Sequence, residues 1–324
     1  MNNINMPLRQ AGFTLLELMV ALTLGLIISA VALQLALTGQ KGVSHQQAQS
    51  NLQSDALFGM EALIREVRLA NLNSGQPIIN NNVLHGGIVL EPKNYSSLYK
   101  KGTDGKETND INITLIGNTL STGAIDNSSN LAGQKSDQLV IQYRNIVNNQ
   151  FDCEGREIPQ DVFVVQKYFV QAIGGSDEPE HSYALACKAF FYVGDEPEKI
   201  DLSETSATVL IPRVEHFSVL LGVANDQCSS GDVIDKVMSC FGYISVDDYQ
   251  RLSTIAKPQI VSIQLGVLVR STQSIGNSHL FNALKEYQVL HTVGKLNKDD
   301  KNQKYMRSVV TQTVALRNGF GVEE

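Results

Sequence analysis

Residues 12–37 read GFTLLELMVALTLGLIISAVALQLAL, and the 25 residues from Phe13 to Leu37 carry one charged side chain, Glu17. A helix of that length rises about 37 Å, enough to cross a hydrocarbon core of about 30 Å. Working toward the amino terminus, the preceding MNNINMPLRQAG is short and polar, with Arg9 as its sole charged side chain. A positive flank of this kind predicts that this end stays on the cytoplasmic side and the rest of the chain is exported. An ordinary secretory signal places small residues after its apolar stretch, so that cleavage discards the stretch. Here the small residue, Gly12, comes first. Cleavage after Gly12 retains the helix as an anchor and makes Phe13 the new terminus. Glu17 then draws attention, because an ionisable group inside a membrane segment costs a few kcal/mol and points to a function with a partner. The new ammonium of Phe13 lies four residues away, so Glu17 is expected to pair with its own terminus or with that of a staggered neighbour. Two buried opposite charges brought together in that way give affinity and axial register.

Toward the carboxyl end the helical period continues but becomes one-sided. Leu52, Ala56, Met60, Leu63, Val67 and Ala70 recur every three or four residues, with Gln46, Gln49, Gln53, Glu61, Arg65 and Arg68 mostly on other faces. One helix is predicted from about Phe13 to Ala70, ended by the NLNSGQP stretch at Asn71 to Pro77. Gly25, Gly39 and Gly42 are weak points in it, each costing about 1 kcal/mol relative to alanine. After Pro77 the pattern alternates, and strands are expected at 83–90, 111–116, 138–145, 162–173, 183–193, 208–222, 260–271, 287–293 and 308–317. In DQLVIQYRN, Leu139, Ile141 and Tyr143 fall on one face, as in a sheet with one wetted side. Polar stretches at 100–110, 121–134, 174–180 and 296–304 read as loops, and a short helix over 246–254 has Ser245 as its cap. The expected fold class is α+β, a long amino-terminal helix packed on a mainly antiparallel sheet domain. Its segments are 1–12, a leader; 13–37, the transmembrane half of the helix; 38–76, the amphipathic half; and 77–324, a β-rich exported domain.

The composition narrows the function. Net charge is -7, from 26 Lys plus Arg against 33 Asp plus Glu, which gives no basic footprint for nucleic acid. The four cysteines form no CxxC, and with an exported body they favour disulfides. Three pairings are open, and the sequential one, Cys153 with Cys187 and Cys228 with Cys240, is the expectation. The histidines at 45, 85, 181, 216, 279 and 291 contain no HExxH, and neither Asp247-Asp248 nor Asp299-Asp300 has calcium-loop spacing, so no metal site is expected. No nucleophile elbow or phosphate-cradling glycine loop is present, so neither catalytic residues nor a cofactor are expected. Tyr168-Phe169 and Phe190-Phe191-Tyr192 sit in predicted strands and read as core. The mildly basic run with Lys100, Lys101 and Lys106 reads as a solvated loop.

Gly12, Phe13, Thr14, Leu15, Leu16 and Glu17, followed by the apolar helix, resemble the class III leader of type IV pilins. The resemblance implies cutting after Gly12 by a prepilin peptidase, N-methylation of Phe13, and a role for Glu17 in assembly. Further phrases resemble PilW-type minor pilins: DQLVIQY before DCEG at Cys153, ALACK at Cys187, IPRVEHFSVLLGVA, IVSIQLGVLVRS and VALRNG, spread over much of 137–318. That family implies a non-enzymatic subunit, anchored once in the bacterial inner membrane with its body in the periplasm. It joins other minor pilins in a priming complex at the pilus tip, with the major pilin and the inner-membrane assembly platform as further partners. Twitching motility and adhesion, with DNA uptake as an extension, would depend on it. A minor pseudopilin of type II secretion is the alternative, and a membrane-tethered periplasmic enzyme or binding module the third reading.

Overall fold

The computed structural model describes residues 12–96, 99–101, 107–109, 113–126, 128–173, 182–194, 197–204, 206–224, 241–252, 257–274, 285–297 and 304–319. One helix, α1, covers Leu15–Val67, 53 residues, passing through all three glycines expected to weaken it. By contact clustering the chain divides into two units, 1–47 and 48–324. In the first, the apolar side chains of α1 from Phe13 to Leu37 are exposed all round. Two of its hydroxyls bond to the helix backbone, Thr23 Oγ1 to the Val20 carbonyl and Thr38 Oγ1 to the Gln34 carbonyl, each at 2.9 Å. Such local satisfaction is what an apolar solvent demands of a polar side chain.

In the second unit α1 buries one stripe: Ala48, Leu52, Ala56, Gly59, Met60, Leu63, Glu66 and Val67. Two antiparallel sheets make up most of the body. The first is a meander of β1 (Thr122–Ile125), β2 (Ser136–Asn145), β3 (Val162–Ala172), β4 (Tyr183–Tyr192) and β5 (Thr208–Pro212), each strand paired with its sequence neighbour. The second holds β6 (Val214–Ala224), β7 (Phe241–Ser245), β8 (Gln259–Ser274) and β9 (Tyr305–Ala315) in the order β7-β6-β8-β9. One core joins the helix stripe to Leu139, Ile141 and Tyr168 of the first sheet and to Phe217, Ile263 and Leu265 of the second. Smaller pairs flank the sheets, including a parallel one of Thr114–Ile116 with Lys199–Asp201.

Several expected elements are corrected. The run 208–222 is two strands, because Arg213 takes a left-handed φ of +59° and passes the chain from one sheet to the next. The run 287–293 is a hairpin, Glu286–Val289 with Thr292–Lys295, reversing at Leu290 with φ +53°. Residues 83–90 form no strand. His85 has φ +56°, Gly86 N–H closes a turn on the Val83 carbonyl, and only Ile88 bridges to Ile141. Short strands occur in two expected loops, Tyr99–Lys101 with Glu107–Asn109 and Thr122–Ile125. Nor does β2 have a wetted face. Residues 87–89 bond along it, and its far side packs Val140 against Val89, Tyr95 and Phe163. Gln142, which the alternation placed in water, is buried and bonds the Asn94 carbonyl and Tyr192 hydroxyl. The short helix α2, Val246–Arg251, starts as expected on Ser245, whose hydroxyl accepts from Asp248 N–H.

The end of α1 is fixed by two asparagines far apart in sequence. Asn71 adopts φ +67°, a conformation asparagine tolerates better than most residues. Its side chain donates to the carbonyls of Gln76 and Asn318 at 2.7 and 2.9 Å, and accepts from Gly87 N–H at 2.9 Å. Asn318 donates to the carbonyls of Arg68 and Ala70, satisfying groups that a helix end leaves open. Gly87 permits the approach, since a Cβ there would meet the Asn71 backbone. Gly59 does the same further back, where a Cβ would collide with Ile211 of β5. Gly59→Ala should therefore lower stability by about 1–3 kcal/mol despite alanine's better helix propensity. Denaturation of Gly59→Ala, Ile211→Ala and the double variant checks it, with the double costing less than the sum.

Candidate functional site

The leader junction lies in the first unit. Gly12, Phe13 and Thr14 precede α1 outside any regular element, Phe13 is 88% exposed, and among the described residues nothing lies within 4 Å of where a Gly12 Cβ would be. Packing among the described residues therefore places no demand on glycine at this position.

Thr14 starts the helix, its carbonyl accepting the first intrahelical bond from Leu18 N–H at 3.2 Å. Glu17 closes back on it. The Glu17 Oε2 atom accepts from the Thr14 N–H and from the Thr14 hydroxyl, both at 3.0 Å, while Thr14 Oγ1 accepts from Glu17 N–H at 3.2 Å. This is a reciprocal capping box, which satisfies two of the orphan donors at a helix start. In the uncut chain, then, the partner beside Glu17 is Thr14, two of whose donors it engages. The Phe13 nitrogen is a peptide amide until the bond to Gly12 is cut.

In the second unit, Cys153 is joined to Cys187, with Cα atoms 6.2 Å apart, tying the turn after β2 to β4. Closing a loop of 34 residues contributes about 4 kcal/mol in the chain-entropy model. Charges secure the same turn. Asp152 accepts from the N–H groups of Glu154 and Arg156, Lys188 Nζ donates to Glu154 at 3.1 Å, and Glu154 also accepts from Ala189 N–H. Cys228 and Cys240 lie outside the described residues, as do most of residues 225–257 and His181 and His279.

Three buried polar groupings were not foreseen from sequence. Glu66 sits on the helix stripe at the spacing of an apolar residue, three after Leu63, and accepts from Gln166 Nε2 at 3.3 Å. Gln166 also donates to Tyr143 and accepts from Tyr168, and burial pushes the Glu66 carboxyl above its ordinary range. Glu215 on β6 receives a two-pronged bond from Arg307 on β9 at 2.6 and 3.0 Å, with Arg270 of the intervening β8 3.7 Å away. All three side chains are buried, so slipping the register of this sheet would strand charge away from water. Lastly, His216 meets Ser129 at 2.9 Å and Ser136 at 3.4 Å, beside Asp137, which accepts from Val219 N–H at 2.7 Å. Serine, histidine and aspartate are neighbours here, yet all are buried and Asp137 bonds β6 backbone and Ser218. The arrangement cross-links β2 to β6.

Residues 7–33 match the prokaryotic N-terminal methylation motif, and residues 167–318 match the family model of type IV pilus-assembly protein W. The chain is a minor type IV pilin-like protein. Its methylation-motif region contains the capping box and the start of the exposed apolar helix, and its PilW region runs from β3 through β9. A solved type IV-like pilin from Thermus thermophilus is similar over 82% of this chain and 97% of its own, at 12% identity and a TM-score of 0.39. No curated protein matches the chain in sequence. The families found consist of pilus structural proteins, and the motif with its apolar helix fits single-pass membrane anchoring of this pilin-like chain.

Burial gives the pilin-like body opposing pH responses at one place. It lowers the His216 pKa to about 4, below the unfolded value of about 6.5. On acidification the unfolded chain then binds a proton that the fold refuses, and about 3 kcal/mol is lost between pH 6.5 and 4. Asp137 is shifted upward by burial, so its contribution has the other sign, present at low pH and lost as pH rises. His216→Gln removes only the first, and its stability should fall less than that of the parent chain from pH 7 to 4.5. Urea midpoints of the two full-length chains in detergent at both pH values test this.

Proposed function

We propose that this chain is a minor pilin that primes type IV pilus assembly. The observation that carries the reading is the junction itself. An open glycine precedes an apolar helix exposed on every side, with one carboxylate at the fifth residue after the expected cut. Residues 1–12 act as the leader, 13–37 as the membrane half of α1, 38–76 as its amphipathic half with the turn that follows, and 77–324 as the periplasmic body. The precursor inserts with its amino terminus inside. A prepilin peptidase cuts between Gly12 and Phe13, and the Phe13 nitrogen is methylated.

Holding Glu17 in a membrane costs about 2.5–3.5 kcal/mol, a burden that the two bonds from Thr14 reduce while the subunit waits. Cleavage then supplies an ammonium at Phe13 within reach of Glu17 in the same or an adjoining subunit. In the fibre the Phe13 to Leu37 surface exchanges lipid for the helices of other minor pilins and the major pilin, on the inner-membrane platform. We place the chain in a tip-proximal complex with its body braced by Cys153–Cys187 and by a Cys228–Cys240 bond, with twitching and adhesion dependent on it. No catalytic or cofactor role is assigned.

Deleting the chain should abolish surface pili and twitching while leaving exoprotein secretion intact. Electron microscopy together with an exoprotein assay decides it, since intact pili with exoproteins held in the periplasm would replace this reading with a type II secretion pseudopilin. Mass spectrometry of the assembled fraction should find a methylated Phe13 terminus. Glu17→Gln should still be cut and inserted, but its abundance in sheared pili should drop at least about tenfold, the effect of losing roughly 1.4 kcal/mol of pairing.

A further inference from the structure

The four outer strands of the two large sheets are not alike. On the first sheet, β1 has four residues and a register shift between Thr122 and Ile125, while β5 has a shift between Val209 and Ile211 and ends in Pro212. On the second, β7 has five residues and runs straight into α2. Short length, bulges and proline are the devices by which proteins keep an open edge from pairing. The remaining edge, β9, is long and free of proline, and the register shift in its pairing with β8, between Arg270 and Ser274, lies at its Tyr305 end. It runs for 11 residues, its pairing with β8 is regular from Arg307 to Ala315, and residues 308–315, SVVTQTVA, contain neither charge nor proline.

The direction of its backbone groups follows from one bond. Leu316 N–H donates to the Val261 carbonyl, which makes the even-numbered residues those that exchange bonds with β8. The N–H and carbonyl groups of Val309, Thr311, Thr313 and Ala315 therefore point away from the sheet, and among the described residues nothing bonds to them. Thr311, Gln312 and Thr313 are also exposed by side chain, and with Gln264 and Leu290 they line a cleft of about 350 Å³.

The sequence of this edge names its occupant. Val310-Thr311-Gln312-Thr313-Val314 reads the same in both directions. We propose that β9 pairs with β9 of a second copy of this chain, antiparallel, about a two-fold axis at Gln312. In that register Thr311 faces Thr313 of the second copy and Val309 faces Ala315, all with outward backbone groups, so every facing pair can exchange two hydrogen bonds. Val310 lies opposite Val314, and the Gln312 amides oppose each other at a non-bonded site with Cα atoms about 4.5 Å apart. Each amide both donates and accepts, so the two satisfy one another. The second sheet then continues across the axis. Shifting the axis to Thr311 would keep the backbone bonds but set Val309 against Thr313 and lose the matched side-chain pairs.

Cysteine cross-linking of the full-length chain in native membranes tests this, with copper phenanthroline as oxidant and the parent chain and Gln160→Cys as controls. Gln312→Cys should give a reducible band of twice the chain mass, containing this chain alone. Adding Thr311→Lys and Thr313→Lys, on exposed positions that leave the core untouched, should cut that band about tenfold by setting like charges face to face. Three results overturn the proposal: no dimer band above the controls, a band containing another polypeptide, or stronger cross-linking from Thr311→Cys than from Gln312→Cys. None of them bears on cleavage at Gly12, so failure here is separable from failure of the pilus reading.

Discussion

One helix has to satisfy two solvents, and the remainder of the molecule is arranged around that constraint. Over Phe13 to Leu37 the chain is apolar on every face, and the Thr23 hydroxyl turns back on the helix backbone. From Ala48 onward it buries one stripe against two sheets and leaves the other faces to water. Because the second half must lie close to β5, the last strand of the first sheet, glycine is needed where Ile211 crosses it, and an unusual turn is needed where the helix stops.

The body answers with long-range polar ties. The stripe is interrupted by Glu66, held by a glutamine that two tyrosines also engage. The second sheet is keyed by Glu215 with Arg307 and Arg270, and the two sheets are sewn together where Asp137 and His216 meet β6 and the start of β2. Buried charge and amide groups of this kind add little net stability, since desolvation offsets most of their attraction. Their consequence is selectivity among alternative pairings, because a wrong register leaves one of them unsatisfied.

Much of this was legible in the sequence, for identifiable reasons. The helix and its buried stripe announce themselves because burial repeats with a local period, and Leu52, Ala56, Met60 and Leu63 are where the period puts them. Strands β2, β3, β4 and β8 emerged from runs of β-branched and aromatic residues, and the leader from six consecutive residues. What was hidden depends on residues far apart. Pro212 marks a break in the run 208–222 but not a change of sheet, Glu66 has no local mark of its distant glutamine, and Gln142 looks like a surface residue until residues 87–89 cover it. The capping box at Thr14 and Glu17 was visible as a spacing, but the charge of Glu17 pointed first to an amine.

Asn318 closes the carbonyls of Arg68 and Ala70 across 250 and 248 positions of chain. The last turn of the first helix is thus completed by nearly the last described residue. A ribosome or translocon delivers the helix first and Asn318 some 250 residues later, so the helix end stays open until the chain between them has been made. Loop closure over such a span is slow and comes late. A chain cut short by even a few residues before position 318 would lack this latch, and would carry its premature ending as a loosened helix rather than merely a missing tail.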